Sequence, residues 1–213
     1  MKGTYRDLVG SYVSATGAEL VIKSMISSRV VKFPAFLTNL SDDFKSSWNT
    51  EQVYGRMDPL ASFQHTTRTV QLGFNVPSAS VKEAKNNHKK FSTFSQMLYP
   101  AYLRSSDLPP PTDGETSNRN AGDNTLTMAK SPLVRVKFGN LIKSQDGTKG
   151  LLGWIDGISY KPTLSLGFFA EGGGQFYAKN YELTFTLNVL HDEDIGIDSI
   201  NGSWLDGNNE FPF

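Results

Sequence analysis

Apolar and polar residues alternate strictly over Thr69-Val70-Gln71-Leu72-Gly73-Phe74-Asn75-Val76, which puts Val70, Leu72, Phe74 and Val76 on one face. That is the pattern of a strand with one buried side, and Pro77 stops it. Ser80-Val81-Lys82-Glu83 then reads as a capping box, the serine hydroxyl accepting from a free backbone N–H and the glutamate reaching back to the cap. Val81, Ala84, His88, Phe91, Phe94 and Leu98 follow at spacings of three and four, predicting an amphipathic helix. Lys82, Lys85, Asn86, Lys89 and Lys90 face outward, and Pro100 ends the helix by about Tyr99.

Upstream, Leu20-Val21-Ile22 and Arg29-Val30-Val31-Lys32-Phe33 predict a hairpin that leads into Pro34-Ala35-Phe36-Leu37. Downstream, three more strands are expected. Val134, Val136 and Phe138 alternate with Arg135 and Lys137; Leu151 to Tyr160 carries Leu152 and Trp154; Leu183, Phe185, Leu187 and Val189 alternate with Glu182, Thr184, Thr186 and Asn188. Gln145-Asp146-Gly147-Thr148 supplies the turn between the first two. The expected fold is α+β: a strand-helix-strand-strand-strand core with an N-terminal hairpin, an antiparallel sheet covered by one main helix.

Three stretches stand outside that pattern. From Asn39 to Phe63 the residues Phe44, Trp48, Val53, Tyr54, Met57, Leu60 and Phe63 are strung through polar positions without a period, so an apolar loop is expected that must pack on something. Residues 104–130, with Pro109-Pro110-Pro111, are too polar to bury and read as a mobile insertion. After His191 come Asp192, Glu193, Asp194, Asp198, Asp206 and Glu210 with no lysine or arginine, dotted with Trp204, Leu205, Phe211 and Phe213. The division expected is an N-terminal arm over residues 1–18, a core over 19–191 and an acidic C-terminal docking arm over 192–213.

Composition narrows the function classes. The 213 residues suit one domain with extensions. Lysine plus arginine balance aspartate plus glutamate at 21 each, so the overall field favours neither nucleic acid nor a charged membrane surface as partner. The lysines of the predicted helix read as an ordinary solvated face. The absence of cysteine removes disulfides, thiolate metal sites and cysteine nucleophiles together. No apolar run approaches the roughly 20 residues that span a bilayer, and the first residues carry no signal-peptide pattern.

Candidate chemistry is sparse. His65, His88 and His191 lie in no metal-ligand spacing, and His88 falls on the apolar stripe of the helix, where a core or interface imidazole is expected. Asp192-Glu193-Asp194 and Ser41-Asp42-Asp43 lack the glycine-punctuated spacing of a calcium loop. Glu171-Gly172-Gly173-Gly174-Gln175 has no lysine and serine or threonine after it, so it reads as a strand connection rather than a phosphate loop. No Gly-x-Ser-x-Gly elbow exists, and no carboxylate pair is singled out for glycoside cleavage. The expectation is a protein that is not an enzyme, with no catalytic, cofactor or metal site.

Val53-Tyr54-Gly55-Arg56-Met57-Asp58-Pro59-Leu60, Phe63-Gln64 and Thr67-Arg68-Thr69-Val70-Gln71-Leu72 form a pattern that continues at Glu83-Ala84, Val134 to Ile142, Leu152 to Gly157 and Val189-Leu190-His191. Over most of residues 33–191 this resembles virion structural proteins of tailed bacteriophages, a tail or baseplate family. The resemblance implies assembly in the host cytoplasm into the virion tail, near the baseplate or the start of the tube. It also implies other tail and baseplate proteins as partners, in a homo-oligomeric ring or other multi-copy assembly. Tail-tube or neck-proximal tail-completion roles belong to the same context. The candidate interaction residues are Trp48, Tyr54, Arg56, Asp58, Trp204, Phe211 and Phe213. Asp58-Pro59 fixes a turn, and Arg56 is either a bidentate partner for a neighbour's carboxylate or half of an internal loop-locking pair with Asp58. Two other classes remain open: a carbohydrate- or cell-wall-binding module using Trp48, Trp154 and Trp204 as stacking platforms, and a wall hydrolase built on the carboxylates.

Overall fold

The computed structural model describes residues 19–34, 36–104, 126–145 and 147–205. Strands β1 (Glu19–Ser24), β2 (Val30–Pro34), β3 (Phe36–Glu51) and β4 (Leu60–Pro77) precede a helix, α1 (Val81–Gln96). Seven more strands follow: β5 (Ala101–Arg104), β6 (Leu126–Lys130), β7 (Val134–Phe138), β8 (Leu151–Pro162), β9 (Phe168–Glu171), β10 (Gln175–Ala178) and β11 (Asn180–Val189). The fold is α+β. One seven-stranded sheet, antiparallel throughout in the order β2-β1-β7-β8-β11-β4-β3, carries α1 on one face. Two short ribbons, β5 with β6 and β9 with β10, flank it.

Period-two alternation sorts each strand into a buried and a wet side. Val70, Leu72, Phe74 and Val76 of β4 face Leu187, Phe185, Leu183 and Tyr181 of β11, and all are buried. Leu20 and Ile22 of β1 stand between Phe33 and Val31 of β2 and Phe138 and Val136 of β7. Onto this face α1 sets Ala84, Asn87, Phe91 and Phe94. Phe91 stacks on Phe33 at 5.1 Å between ring centroids, and Phe94 meets Phe185 edge-on at 5.5 Å. Such aromatic pairs contribute about 0.5–1.5 kcal/mol beyond their buried area.

The helix starts as its capping signal requires, with one change. Ser80 Oγ accepts from Glu83 N at 3.2 Å, while Glu83 Oε2 accepts from Ala79 N at 2.8 Å, one residue before the cap. The buried stripe also differs from the expected one. Asn87, not His88, takes the position between Ala84 and Phe91, and its Nδ2 donates to Ser78 Oγ at 3.0 Å. A buried amide with a partner costs little. His88 is exposed and packs its ring edge-on to Tyr177 at 5.9 Å.

Two further expectations are corrected, and the start of the C-terminal segment is placed. Residues 39–63 are not a loop: all but the tip belong to β3 and β4. Residues 126–130, read as part of the mobile insertion, form β6 against β5, whereas residues 105–125 lie outside the described residues. The segment after His191 begins by binding its own core: Asp192 pairs with Arg135, and Glu193 Oε2 accepts from Gln145 N at 2.9 Å. The glycine run 172–174 does join two strands, β9 and β10, in a tight hairpin with Gly173 and Gly174 at positive φ.

Gly153 sits where β8 passes β11 most closely. A Cβ there would meet the Asn188 carbonyl oxygen at 2.2 Å and Leu187 Cδ1 at 3.0 Å. Overpacking of this kind costs about 1–3 kcal/mol, so Gly153→Ala is expected to lower the urea midpoint by a corresponding amount. Gly157→Ala, four residues on with nothing within 4 Å of its Cβ, is the matched control and should leave the midpoint almost unchanged.

Candidate interaction surface

Strands β3 and β4 run far past the sheet that holds them. The last pair joining β4 to β11 is Thr69 with Asn188, so Leu60 to Arg68 are paired only to β3. At about 3.4 Å per residue this makes a two-stranded arm roughly 30 Å long. Among the described residues neither edge has a strand partner: not the outer edge of β3, nor the β4 edge beyond Thr69. A two-stranded ribbon is marginal in water on its own.

The root of the arm is fixed by an ion pair. Arg68, 2% exposed, donates from Nε to Asp42 Oδ1 at 3.0 Å and from Nη2 to Asp42 Oδ2 at 2.5 Å. The pair occupies the level just beyond Val70, where the apolar core gives way to the arm. The guanidinium also lies over the Phe44 ring, 5.0 Å from its centroid. A bidentate fork with a face-on ring sets the direction in which the arm leaves the sheet.

A bulge then decides which residues share a face. Ser47 pairs with His65 but Trp48 pairs with Phe63, leaving Gln64 as the extra residue on β4. Two residues at a bulge oppose one, so Phe63 turns to the side occupied by Phe44, Ser46 and Trp48. Hydrogen bonds agree with this sorting: Trp48 Nε1 donates to Ser46 Oγ at 3.1 Å on one side, and Ser47 Oγ donates to Gln64 Oε1 at 3.2 Å on the other. Trp48 and Phe63 meet edge-on at 5.3 Å. The core-side face of the arm therefore carries an apolar stripe, Phe44, Trp48 and Phe63, each about half exposed. Asp43, Lys45, Ser47, Asn49 and Thr67 make the opposite face polar.

The tip lies between Glu51 and Leu60. Gly55 takes φ +81°, and Arg56 N donates to Val53 O at 3.2 Å to close a turn. Tyr54 and Met57 are almost fully exposed. Arg56 and Asp58 are exposed as well, and no ion pair joins them among the described residues, so the turn is held by backbone geometry. Of the candidate residues, Trp48, Tyr54, Arg56 and Asp58 thus come together on one arm. Trp204 does not belong to it: it is half-buried in a short hairpin, bridged to Ile197, where Asp198 accepts from Ile200 N at 2.9 Å. Phe211 and Phe213 lie outside the described residues. Phe44, Phe63 and the Arg68–Asp42 pair are the members of this surface that were not singled out from sequence. Their signal was present as Phe44-x-Ser46-x-Trp48, which keeps a period of two.

His191 titrates beside the root. Partial burial, and after it the nearby Arg68 cation, hold its imidazole below the ordinary 6.5, with Asp192 acting in the opposite direction. The unfolded chain thus takes up a proton first as pH falls. Stability is full above about pH 6.5 and drops as pH falls from there through the folded value. Thermal melts between about pH 7 and 5 should show that slope, shallower in His191→Gln; an unchanged slope would assign it to other groups.

On the wet face of the sheet, Trp154 Nε1 donates to Asp156 Oδ1 at 3.0 Å, Asn188 Nδ2 to Asp156 Oδ2 at 2.6 Å, and Thr69 Oγ1 to Asn188 Oδ1 at 3.3 Å. This polar ladder ties β8, β11 and β4 together and engages the indole nitrogen of Trp154. Between α1 and the strands β8 and β11 lies a groove of about 640 Å³, lined by Phe91, Phe94, Leu98, Tyr99, Ile158 and Tyr160 among others. Burial, and a hydrogen bond with Tyr181, push the Tyr160 hydroxyl well above the usual phenol range. Among the described residues no group of three histidine, aspartate or glutamate side chains is placed to hold a metal ion. No helix among them is long and apolar enough to cross a membrane. No family model and no curated protein matches the chain.

Proposed function

We propose that this protein is a virion structural subunit of a tailed bacteriophage, placed in the tail or baseplate, and that it works by packing against neighbouring subunits rather than by catalysis. The observation that carries the reading is the arm: a ribbon roughly 30 Å long, without a strand partner at either edge among the described residues, with an apolar stripe that stays about half exposed. A chain holds such a ribbon in place only if a partner surface offsets the cost of exposing and ordering it. The arm spans about 25 residues, comparable with the 20–30 per side of a standard stable interface. A different surface lies along each of its edges, which suits a head-to-tail contact repeated around a ring. The residues that carry the resemblance to tail and baseplate proteins include the arm's tip, Val53 to Leu60, and Phe63, Gln64, Thr67 and Arg68 of its second strand.

The test is a particle made without this chain. Tails that are absent or terminate abnormally under the electron microscope are expected. Normal, infectious tails would overturn the structural role, and retained tails that fail to adsorb to cell-wall glycan would favour the binding-module alternative.

A further inference from the structure

We propose that the groove between α1 and strands β8 and β11 is the receptor for residues 206–213 of a second copy of this chain, an inference that rests on the packing role above. The groove is predominantly apolar, and its volume of about 640 Å³ is ample for two aromatic side chains. Residues 206–213 offer two, Phe211 and Phe213, two positions apart.

Charge selects the same pairing. On α1, Lys85 and Lys89 neighbour His88, one of the residues that line the groove, and the helix's one acidic residue, Glu83, is engaged at the helix start. Lys85 reaches Glu171, while Lys82 and Lys89 are exposed. Residues 206–213 carry Asp206 and Glu210 with no lysine or arginine. An acidic segment with aromatic anchors is the complement of an apolar slot with a basic wall.

Geometry selects a second copy over the chain's own segment. Asp192 is held by Arg135, which stands opposite Leu152 on β8, and Leu205 N donates to Gly196 O at 2.9 Å, keeping Leu205 close to that anchor. The β8 residues that line the groove, Ile158 and Tyr160, lie six and eight residues further along the strand, about 20 and 26 Å away. Fully extended, Phe211 reaches about 20 Å and Phe213 about 27 Å beyond Leu205, so within one chain both rings enter only with the segment drawn straight. A neighbouring copy meets no such limit.

The experiment uses the full chain carrying Phe211→Ser and Phe213→Ser, so that segments of other copies do not compete, and a fluorescein-labelled peptide with the sequence of residues 206–213. Anisotropy should rise saturably. Binding should weaken about tenfold or more with Tyr99→Ser, and likewise with Lys89→Glu. A peptide carrying Glu210→Lys should recover affinity for the Lys89→Glu chain. Both sites are exposed, so unchanged melting curves are expected and serve to show that the fold is intact. Absence of saturable binding, or binding indifferent to both groove substitutions, overturns the inference. Self-association that survives Phe211→Ser with Phe213→Ser, yet is lost when the β3–β4 arm is shortened, also overturns it while leaving the packing role standing.

Discussion

Arg68→Ala is expected to cost about 3–5 kcal/mol of folding stability, the range for breaking a buried ion pair from one side. The reason is asymmetry. Arg68 is almost wholly buried and Asp42 largely so, with three hydrogen bonds between them, and removal of the guanidinium leaves a carboxylate at the edge of the core without its partner. For a domain of this size that corresponds to a fall in melting temperature of roughly 6–20 °C. The double variant Asp42→Leu with Arg68→Met should recover most of it, because replacing both charges by apolar side chains of similar volume is often neutral. Urea denaturation of the three proteins checks this. A loss below about 1 kcal/mol in Arg68→Ala would place the pair with ordinary surface salt bridges and would remove it as the fixed point of the arm.

The second large effect is on association. With residues 45–67 replaced by Asn-Gly, Phe44 and Arg68 stay paired across a two-residue turn of the kind that closes hairpins. The buried residues of the sheet and α1 are untouched, since every residue removed is exposed or half-exposed. The melting temperature should therefore move by only a few degrees, while sedimentation at matched concentration shifts to smaller species. The double substitution Trp48→Ser with Phe63→Ser removes the apolar stripe but keeps the arm, and should weaken association about a hundredfold, as loss of paired aromatic anchors does. A shortened chain that still forms the full assembly would assign the interface elsewhere.

The core was legible in sequence because burial on one side imposes a period. Val70 to Val76 and Leu183 to Val189 alternate since each strand has one face against α1 and one in water. The arm was read as a loop for the converse reason. Neither of its faces is fully buried by the described residues, so only the short period Phe44-x-Ser46-x-Trp48 is kept, and the extra residues at Thr38 and Gln64 shift the alternation on either side. The exchange of His88 for Asn87 has a different origin. Both lie within three to four positions of Ala84 and Phe91, and hydropathy prefers the ring, but Ser78 supplies the hydrogen bond that lets the amide be buried. The tying of Asp192 and Glu193 to Arg135 and Gln145 joins partners more than 40 residues apart, which composition alone does not reveal.

The proposed packing role places a neighbouring subunit over the arm in the assembled state. Backbone amide exchange in the assembled and the dilute, dissociated protein tests it directly. Amides of residues 43–51 and 60–67 are expected to exchange quickly when the chain is alone and to gain strong protection on assembly, while the strands beneath α1 stay protected in both. Equal, rapid exchange of the arm in both states would contradict the claim.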